Sequence, residues 1–181
     1  MRIRTLVKGR PDLADLLVRQ VHGMPKRVFG STDLSAEQFL EIYIEEATYL
    51  FDLVRPYLRP GIRILEVGGG MGLFHVMVQA EGADIISLEP SVAGFSIFRD
   101  FGLSMLTELT GQPERFLNAC VENTNLPDDH FDMVVSNNVL EHVADPVRAL
   151  QEMYRVLSYG GMLLHSCPNY LFPYEPHYKV P

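Results

Sequence analysis

Residues 64–72 read Ile64-Leu65-Glu66-Val67-Gly68-Gly69-Gly70-Met71-Gly72. The first four belong to a short, β-branched apolar run, which indicates a buried strand. A helical stretch over 73–81 follows, and Gly82 closes it. A strand, a dense glycine turn and a helix in this order are typical of the first unit of a nucleotide-binding α/β domain. The stretch therefore predicts a ligand site at the turn.

Further strands alternate with helices after this unit. Strands are predicted over 84–89, 115–121, 131–136 and 162–166, and helices over 91–111 and 146–157. Such alternation implies right-handed crossovers that build a parallel sheet covered on both faces. We therefore predict a doubly wound, mostly parallel α/β fold with helices on both faces of the sheet.

The residues before Pro60 form a different pattern. Ser35 to Gln38 has the form of a capping box, and Pro56 and Pro60 end the helix that follows. One apolar face of this helix carries Phe39, Leu40, Tyr43, Ala47, Leu50 and Val54. We predict an N-terminal helical segment over 1–57 and an α/β domain over 58–181.

Composition excludes several classes of function. The 181-residue chain has a formal net charge of −8, which argues against a general affinity for nucleic acid or anionic membranes. No apolar run approaches the roughly 18 residues of a membrane span. We expect a soluble, cytoplasmic protein. Cys120 and Cys167 lie in or beside apolar runs, so they are predicted to be buried free thiols. No spacing of His and Cys suggests a metal site.

The glycine turn does not fit a dinucleotide. The fingerprint G-x-G-x-x-G would place its third glycine at Leu73 or at His75, depending on the register. A nicotinamide-dependent oxidoreductase is therefore disfavoured. Glu66 suits a cation such as the amino group of an amino-acid moiety. Glu89, at the end of the second strand, is placed to accept hydrogen bonds from ribose hydroxyls.

The ordered motifs resemble class I S-adenosylmethionine-dependent methyltransferases, from about Leu50 to Tyr178. The motifs are I-L-E-V-G-G-G-M-G at 64–72, S-L-E-P at 87–90, N-L-P-D-D-H-F-D-M-V-V-S-N-N-V-L-E-H-V at 125–143 and R-V-L-S-Y-G-G-M-L-L at 155–164. The resemblance implies a Rossmann-like methyltransferase fold and S-adenosyl-L-methionine as the cofactor.

The same resemblance implies a role for each matching residue. The glycine turn would line the methionine and ribose parts of the cofactor, and Glu89 would hold the ribose hydroxyls. Glu122 would lie near the adenine amino group. The full set of implied cofactor-binding residues is Glu66, Gly68, Gly69, Gly70, Gly72, Glu89, Pro90, Glu122, Asn123 and Asn137.

The sequence also departs from the family. The family sheet has seven strands, whereas this chain stops soon after the fifth. We therefore expect a fold truncated after the fifth strand, with an open sheet edge that the tail or a homodimer would cover.

Methyl transfer needs a general base only when the acceptor is a hydroxyl or a protonated amine. The candidates are His142, after the fourth strand, and Glu175 and His177 in the aromatic tail. We predict a methyltransferase that acts on a small-molecule, saccharide or lipid-linked acceptor, with O-methylation favoured. The alternative is a truncated, non-catalytic binding module of the same fold.

Overall fold

The computed structural model of the protein describes residues 36–91 and 96–167. The candidate bases Glu175 and His177 lie outside these residues. The helices are α1 (Ala36–Val54), α2 (Leu73–Ala80), α3 (Ser96–Leu109) and α4 (Pro146–Val156), and the strands are β1 (Arg63–Val67), β2 (Asp84–Leu88), β3 (Phe116–Leu117), β4 (Phe131–Asn137) and β5 (Leu157–Ser166). Short 3-10 turns lie at Arg55–Tyr57, Pro113–Arg115 and Leu140–His142.

The five strands form one parallel sheet in the order β3-β2-β1-β4-β5. The chain reverses its direction across the sheet at β1, since β2 and β3 lie on one side of it and β4 and β5 on the other. Ligands of doubly wound folds bind at such a switch point, beyond the carboxyl ends of the strands. The predicted doubly wound fold is confirmed.

Helices cover both faces of the sheet. Met133 and Val135 of β4 pack with α1, α2 and α3 in one apolar cluster. Val134 points to the opposite face, where it packs with Ala149 and Met153 of α4. This alternation follows from the two-residue period of a strand. The strands are apolar on both faces because both are buried.

Helix α1 packs in the same core as the α/β domain. Leu50, Phe51 and Val54 are buried in the cluster that also holds Phe74 and Met77 of α2. The domain boundary at residues 57 and 58 stays a prediction. What the packing shows is that the last turns of α1 lie directly against the strand-turn-helix unit.

Two strands differ from their predicted bounds. Strand β3 is much shorter than the predicted 115–121 and pairs with β2 only at Phe116 and Leu117, where the Glu89 N–H also donates to the Leu117 carbonyl. Strand β5 begins at Leu157, five residues earlier than predicted. Gly160 and Gly161 lie within this strand at a bulge, where the register with β4 shifts between Phe131 and Met133.

The prediction for the cysteines was wrong. Cys120 and Cys167 are free, as expected, but both are exposed. Cys120 lies in the loop after the two-residue β3, and Cys167 follows the last residue of β5. Their apolar neighbours suggested burial, yet each thiol lies just beyond the strand that those neighbours form.

Within the residues described, no helix has the length and hydropathy needed to cross a membrane.

Glycine 102 allows α3 to lie close to the glycine turn. A Cβ atom at this position would lie 2.5 Å from the ring of Phe116 and 3.2 Å from the carbonyl oxygen of Gly70. We expect Gly102→Ala to lower the free energy of unfolding by about 1–3 kcal/mol, although alanine favours helices, because the core is overpacked. Urea unfolding measures this change. Glu108→Ala, on the exposed side of α3, is the control, and an equal effect of both would contradict the packing argument.

Candidate functional site

A cavity of about 390 Å³ opens at the carboxyl ends of β1, β2 and β4. The glycine turn forms its floor, and the loops after β2, β3 and β4 form its walls. Helix α1 contributes a further wall. Among the predicted site residues, those that line the cavity are Glu66, Gly68, Gly69, Gly70, Glu89, Pro90, Glu122, Asn137 and His142. The structure therefore brings most of the predicted residues together.

Backbone geometry explains the glycines of the turn. The N–H groups of Gly68 and Gly69 both donate to the carbonyl of Leu88, at 2.9 Å, and so tie the turn to the end of β2. Gly68 has φ of +79°, and a Cβ there would lie 2.3 Å from Val139. Gly70 has φ of +50° with open space where a Cβ would stand. The turn thus presents bare backbone to the cavity.

Glu89 is joined to the glycine turn directly. The Gly70 N–H donates to Glu89 Oε2 at 2.8 Å, and the Glu89 side chain is almost fully buried. Burial raises the pKa of the Glu89 carboxyl to about 7, although the hydrogen bond from Gly70 lowers it. One oxygen is therefore held by the turn. Glu89 lies directly after β2, and its other oxygen can accept hydrogen bonds from a ligand that carries hydroxyl or cationic groups.

Glu66 is buried beneath the turn. Ser87 Oγ donates to Glu66 Oε2, and Ser87 Oγ lies 2.7 Å from Nδ1 of His75. The pKa of Glu66 is raised to about 8, mainly by burial. The Ser87 hydrogen bond lowers this pKa, and the charge of Glu89 adds to the rise. Burial and the charge of Arg115 lower the pKa of His75 to about 4. The sequence had placed Glu66 at the site, but not the two residues behind it.

The wall after β3 carries Glu122 and is held by α4. Arg148 Nε donates to the Glu122 carbonyl at 2.9 Å.

Two of the predicted site residues, Asn123 and Gly72, do not line the cavity. Gly72 is the N-cap of α2, and a Cβ there would lie 2.9 Å from Leu106 of α3. Its role in this structure is close packing of the two helices rather than contact with the cavity.

Helix α1 supplies cavity residues that the sequence did not predict as part of the site. Tyr43 and Glu46 line the cavity, and Asn138 Nδ2, after β4, donates to Glu46 Oε1 at 3.2 Å. Burial raises the pKa of Tyr43, and the charges of Glu46 and Glu89 add to this effect. The sequence signal that could have found Glu46 is that a charged residue stands beside the apolar face of α1. Cys120 also lines the cavity.

The cavity is acidic. Its carboxylates are Glu46, Glu66, Glu89 and Glu122, and within the described ranges 36–91 and 96–167 no Lys or Arg lines it. A buried carboxylate is costly unless it is paired or hydrogen-bonded. An arrangement of this kind favours a ligand that carries positive charge and several hydrogen-bond donors. It disfavours a phosphate-bearing ligand.

A switch-point cavity with a glycine floor and an acidic residue after β2 is the arrangement typical of ligand sites in the doubly wound α/β class. The profile of the family described as "Methyltransferase domain" matches residues 65–165. The chain belongs to this family, and the predicted resemblance is confirmed.

Two similar proteins match much of this chain. An uncharacterized protein of Mycobacterium tuberculosis, Rv1509, is 38% identical over 130 residues, which cover 72% of this chain and 43% of that protein. The ubiquinone biosynthesis O-methyltransferase of Cereibacter sphaeroides is 29% identical over 118 residues, 65% of this chain and 46% of that protein. The chain thus spans less than half the length of these relatives.

Solved structures share the fold. A candidate S-adenosyl-L-methionine-dependent methyltransferase of Methanococcus maripaludis superposes with a TM-score of 0.56 at 17% identity, covering 67% of this chain and 55% of that one. The [4+2]-cyclase SpnF gives a TM-score of 0.55 at 27% identity, covering 64% of this chain and 43% of that one. These likenesses support the Rossmann-like methyltransferase fold.

The raised pKa values predict how the ligand-free protein responds to pH. With a folded pKa of about 8, Glu66 keeps a proton that an unfolded chain has released above about pH 4.5. Its contribution to stability is therefore complete below about pH 4.5 and is lost as the pH rises through 8. As the pH rises from 6.5 to 8, we expect the ionisation of Glu66 to lower the free energy of unfolding by about 2 kcal/mol. Glu89, with a folded pKa of about 7, adds a smaller fall of the same sign in the lower part of this range, and His75, with a pKa of about 4, acts below it.

Urea unfolding at several pH values from 6.5 to 9 tests this expectation. Glu66→Gln, which cannot ionise, should remove most of the fall in stability. Glu81→Gln, which replaces an exposed carboxylate after α2, should retain it. Equal slopes in the wild type and Glu66→Gln would show that Glu66 is ionised at the lower pH values.

Proposed function

We propose that the cavity binds S-adenosyl-L-methionine and that the protein transfers the methyl group of this cofactor to an acceptor molecule. The observation that carries the proposal is the joining of Gly70 and Glu89 at the floor of an acidic cavity. A nucleoside with a positively charged amino-acid chain matches a site that has several carboxylates. Membership of the methyltransferase-domain family supports the same cofactor.

The residues of the cavity fit the parts of this cofactor. Glu89 would accept hydrogen bonds from the ribose hydroxyls, and Glu66 would face the amino group of the methionine moiety. Glu122 would lie by the adenine amino group, with Pro90 and Asn137 beside the adenosine. When bound, the cofactor supplies a methyl group that is already activated on a sulfonium. The protein then has to align the acceptor and exclude water.

We propose a small-molecule, saccharide or lipid-linked acceptor, with O-methylation favoured. The relative named as a ubiquinone biosynthesis O-methyltransferase supports transfer to oxygen. His142 lines the cavity and is exposed, so it can take the proton from an acceptor hydroxyl. Glu175 and His177 remain candidates for the same role. A cytoplasmic location also stays a prediction.

The second candidate function is a binding module that holds the cofactor without methyl transfer. The specific observation in its favour is the likeness to SpnF, which is named as a [4+2]-cyclase rather than as a methyltransferase. Transfer of the labelled methyl group from S-adenosyl-L-methionine to an acceptor separates the two functions. Cofactor binding without transfer to any acceptor would support the module.

The first test is calorimetric titration with S-adenosylhomocysteine and with NAD. We expect S-adenosylhomocysteine to bind and NAD not to bind. Glu89→Gln still accepts from the Gly70 N–H but loses one ribose acceptor and the charge, so the Kd for S-adenosylhomocysteine should rise at least tenfold, or ~1.4 kcal/mol. Glu81→Gln should bind like the wild type. Binding of NAD alone would overturn the proposal.

The second test uses the two cysteines as reporters. Cys120 lines the cavity, whereas Cys167 does not, and both are exposed. We expect saturating S-adenosylhomocysteine to slow alkylation of Cys120 by iodoacetamide and to leave Cys167 unaffected. Peptide mass spectrometry measures both rates in one sample. Equal rates at Cys120 with and without the ligand would place the ligand outside this cavity.

A further inference from the structure

Glu66, Ser87 and His75 form a chain of polar side chains inside the core. Glu66 and Ser87 are direct partners in the register of β1 and β2, and His75 projects from α2 on the same face of the sheet. Ser87 and His75 are fully buried, and Glu66 is 4% exposed. Three polar groups aligned in a core require that their hydrogen bonds be satisfied. The chain connects the cavity to the interior behind the glycine turn.

The directions of the hydrogen bonds follow from the number of protons. An ionised Glu66 only accepts, so the single hydroxyl proton of Ser87 is donated to Glu66 Oε2. Ser87 Oγ must then accept from His75 Nδ1–H, at 2.7 Å, which leaves His75 Nε2 without a proton. If Glu66 gains a proton on Oε2, both hydrogen bonds reverse and Nε2 carries a hydrogen, whereas a proton on Oε1 leaves both hydrogen bonds as they are. The ionised and protonated forms of Glu66 differ by one proton, which is exchanged with solvent.

His75 Nε2 is the inner end of this chain of polar side chains. The nitrogen is buried and has no hydrogen-bond partner in the part of the chain that the structure describes. An unsatisfied N–H and an unsatisfied lone pair in a core each cost about 1–3 kcal/mol. The only hydrogen bond of the His75 ring among the described residues is therefore the one between Nδ1 and Ser87 Oγ, which ties the orientation of the Ser87 hydroxyl to His75.

The second oxygen of Glu66 is available to a ligand. Oε2 is held by Ser87, and Oε1 has no hydrogen bond with any residue that the structure describes, while Glu66 lines the cavity. We propose that Ser87 and His75 are positioning residues, which fix one oxygen of Glu66 and leave the other to the cavity, and so set the affinity for the ammonium group of the cofactor. This inference rests on the proposed function.

Other charged groups act on the same chain. Glu89, Tyr43 and Glu46 face the cavity side, together with Glu122 and His142 on the far walls. Arg115 faces His75 from the other end and disfavours a positive charge on its ring. Glu66 has a pKa of about 8 in the ligand-free protein, with the Ser87 hydrogen bond lowering it. Binding of an ammonium group should therefore release a proton and strengthen as the pH rises towards 8.

The experiment compares two ligands. S-adenosylhomocysteine carries the amino-acid ammonium group, and 5′-deoxy-5′-methylthioadenosine has the same nucleoside without it. Calorimetry at pH 6 to 8.5 gives the ratio of their Kd values for the wild type and three variants. Ser87→Ala removes the donor to Glu66, and His75→Leu removes the donor to Ser87. His75→Asn, nearly isosteric with leucine, keeps an N–H where Nδ1 stood.

We expect Ser87→Ala to lose about tenfold of the preference for S-adenosylhomocysteine at pH 7, and His75→Leu about threefold. The pH at which S-adenosylhomocysteine binding strengthens should move upward in both variants. Affinity for methylthioadenosine should stay within about twofold of the wild type, and His75→Asn should keep the wild-type ratio. Circular dichroism and thermal unfolding check that each variant is folded.

Each other outcome overturns the inference. Wild-type ratios in Ser87→Ala and His75→Leu would show that the chain does not act on the ammonium site. Equal weakening of both ligands, or His75→Asn behaving like His75→Leu, would assign these residues to core packing alone. If His75→Leu does not fold, Ser87→Ala and His75→Asn still decide. A wild type that binds neither ligand would instead overturn the proposed function, and the inference with it.

Discussion

The hydrogen bond from Gly70 to Glu89 joins the first strand-to-helix turn to the end of the neighbouring strand. It is possible because β1 and β2 are parallel partners in direct register, so their carboxyl ends lie side by side. Gly68 and Gly69 extend the same link by donating to Leu88. The positions of the walls after β2 and β4 follow from this junction, since both loops start from the strands that flank β1.

The junction concentrates carboxylates where water is scarce. Glu66 and Glu89 are both nearly buried, and burial raises the pKa of each above its ordinary value. Neither carboxylate has a salt bridge among the residues that the structure describes. Apolar residues in their places would remove the cost of burying two polar groups that have few hydrogen bonds. Their presence at a ligand site is the usual exchange of stability for binding.

The sequence was most informative where local chemistry alone determines structure. The glycine turn, the β-branched runs and the Pro and Gly boundaries follow from backbone preferences, and the strands around 64–67, 84–88 and 131–136 were found nearly to the residue. Glu66 and Glu89 were predicted as site residues from their positions: Glu66 comes two residues before the first glycine of the turn, and Glu89 stands at the end of the second strand. These features need no knowledge of distant contacts.

The features that were missed depend on tertiary packing. The apolar face of α1 predicted a core helix, and nothing local says that Tyr43 and Glu46 reach a cavity made by residues far along the chain. Cys120 was predicted to be buried because the predicted strand ran to residue 121, whereas β3 pairs with β2 only as far as Leu117 and Cys120 lies in the loop beyond it. His75 and Ser87 are ordinary residues of a helix and a strand until register and packing bring them to Glu66.

The loop that carries Glu122 is secured separately from the cavity floor. Thr124 donates to Glu152 of α4, and Arg155 bonds Glu152, Asp128 and the carbonyl of Leu126. The Arg155 hydrogen bond lowers the pKa of Glu152 to about 2. Glu152 therefore stays ionised from moderate acidity upward, whereas the floor carboxylates Glu66 and Glu89 titrate near neutrality. A shift across neutral pH therefore changes the electrostatic potential inside the cavity while Glu152 keeps its charge.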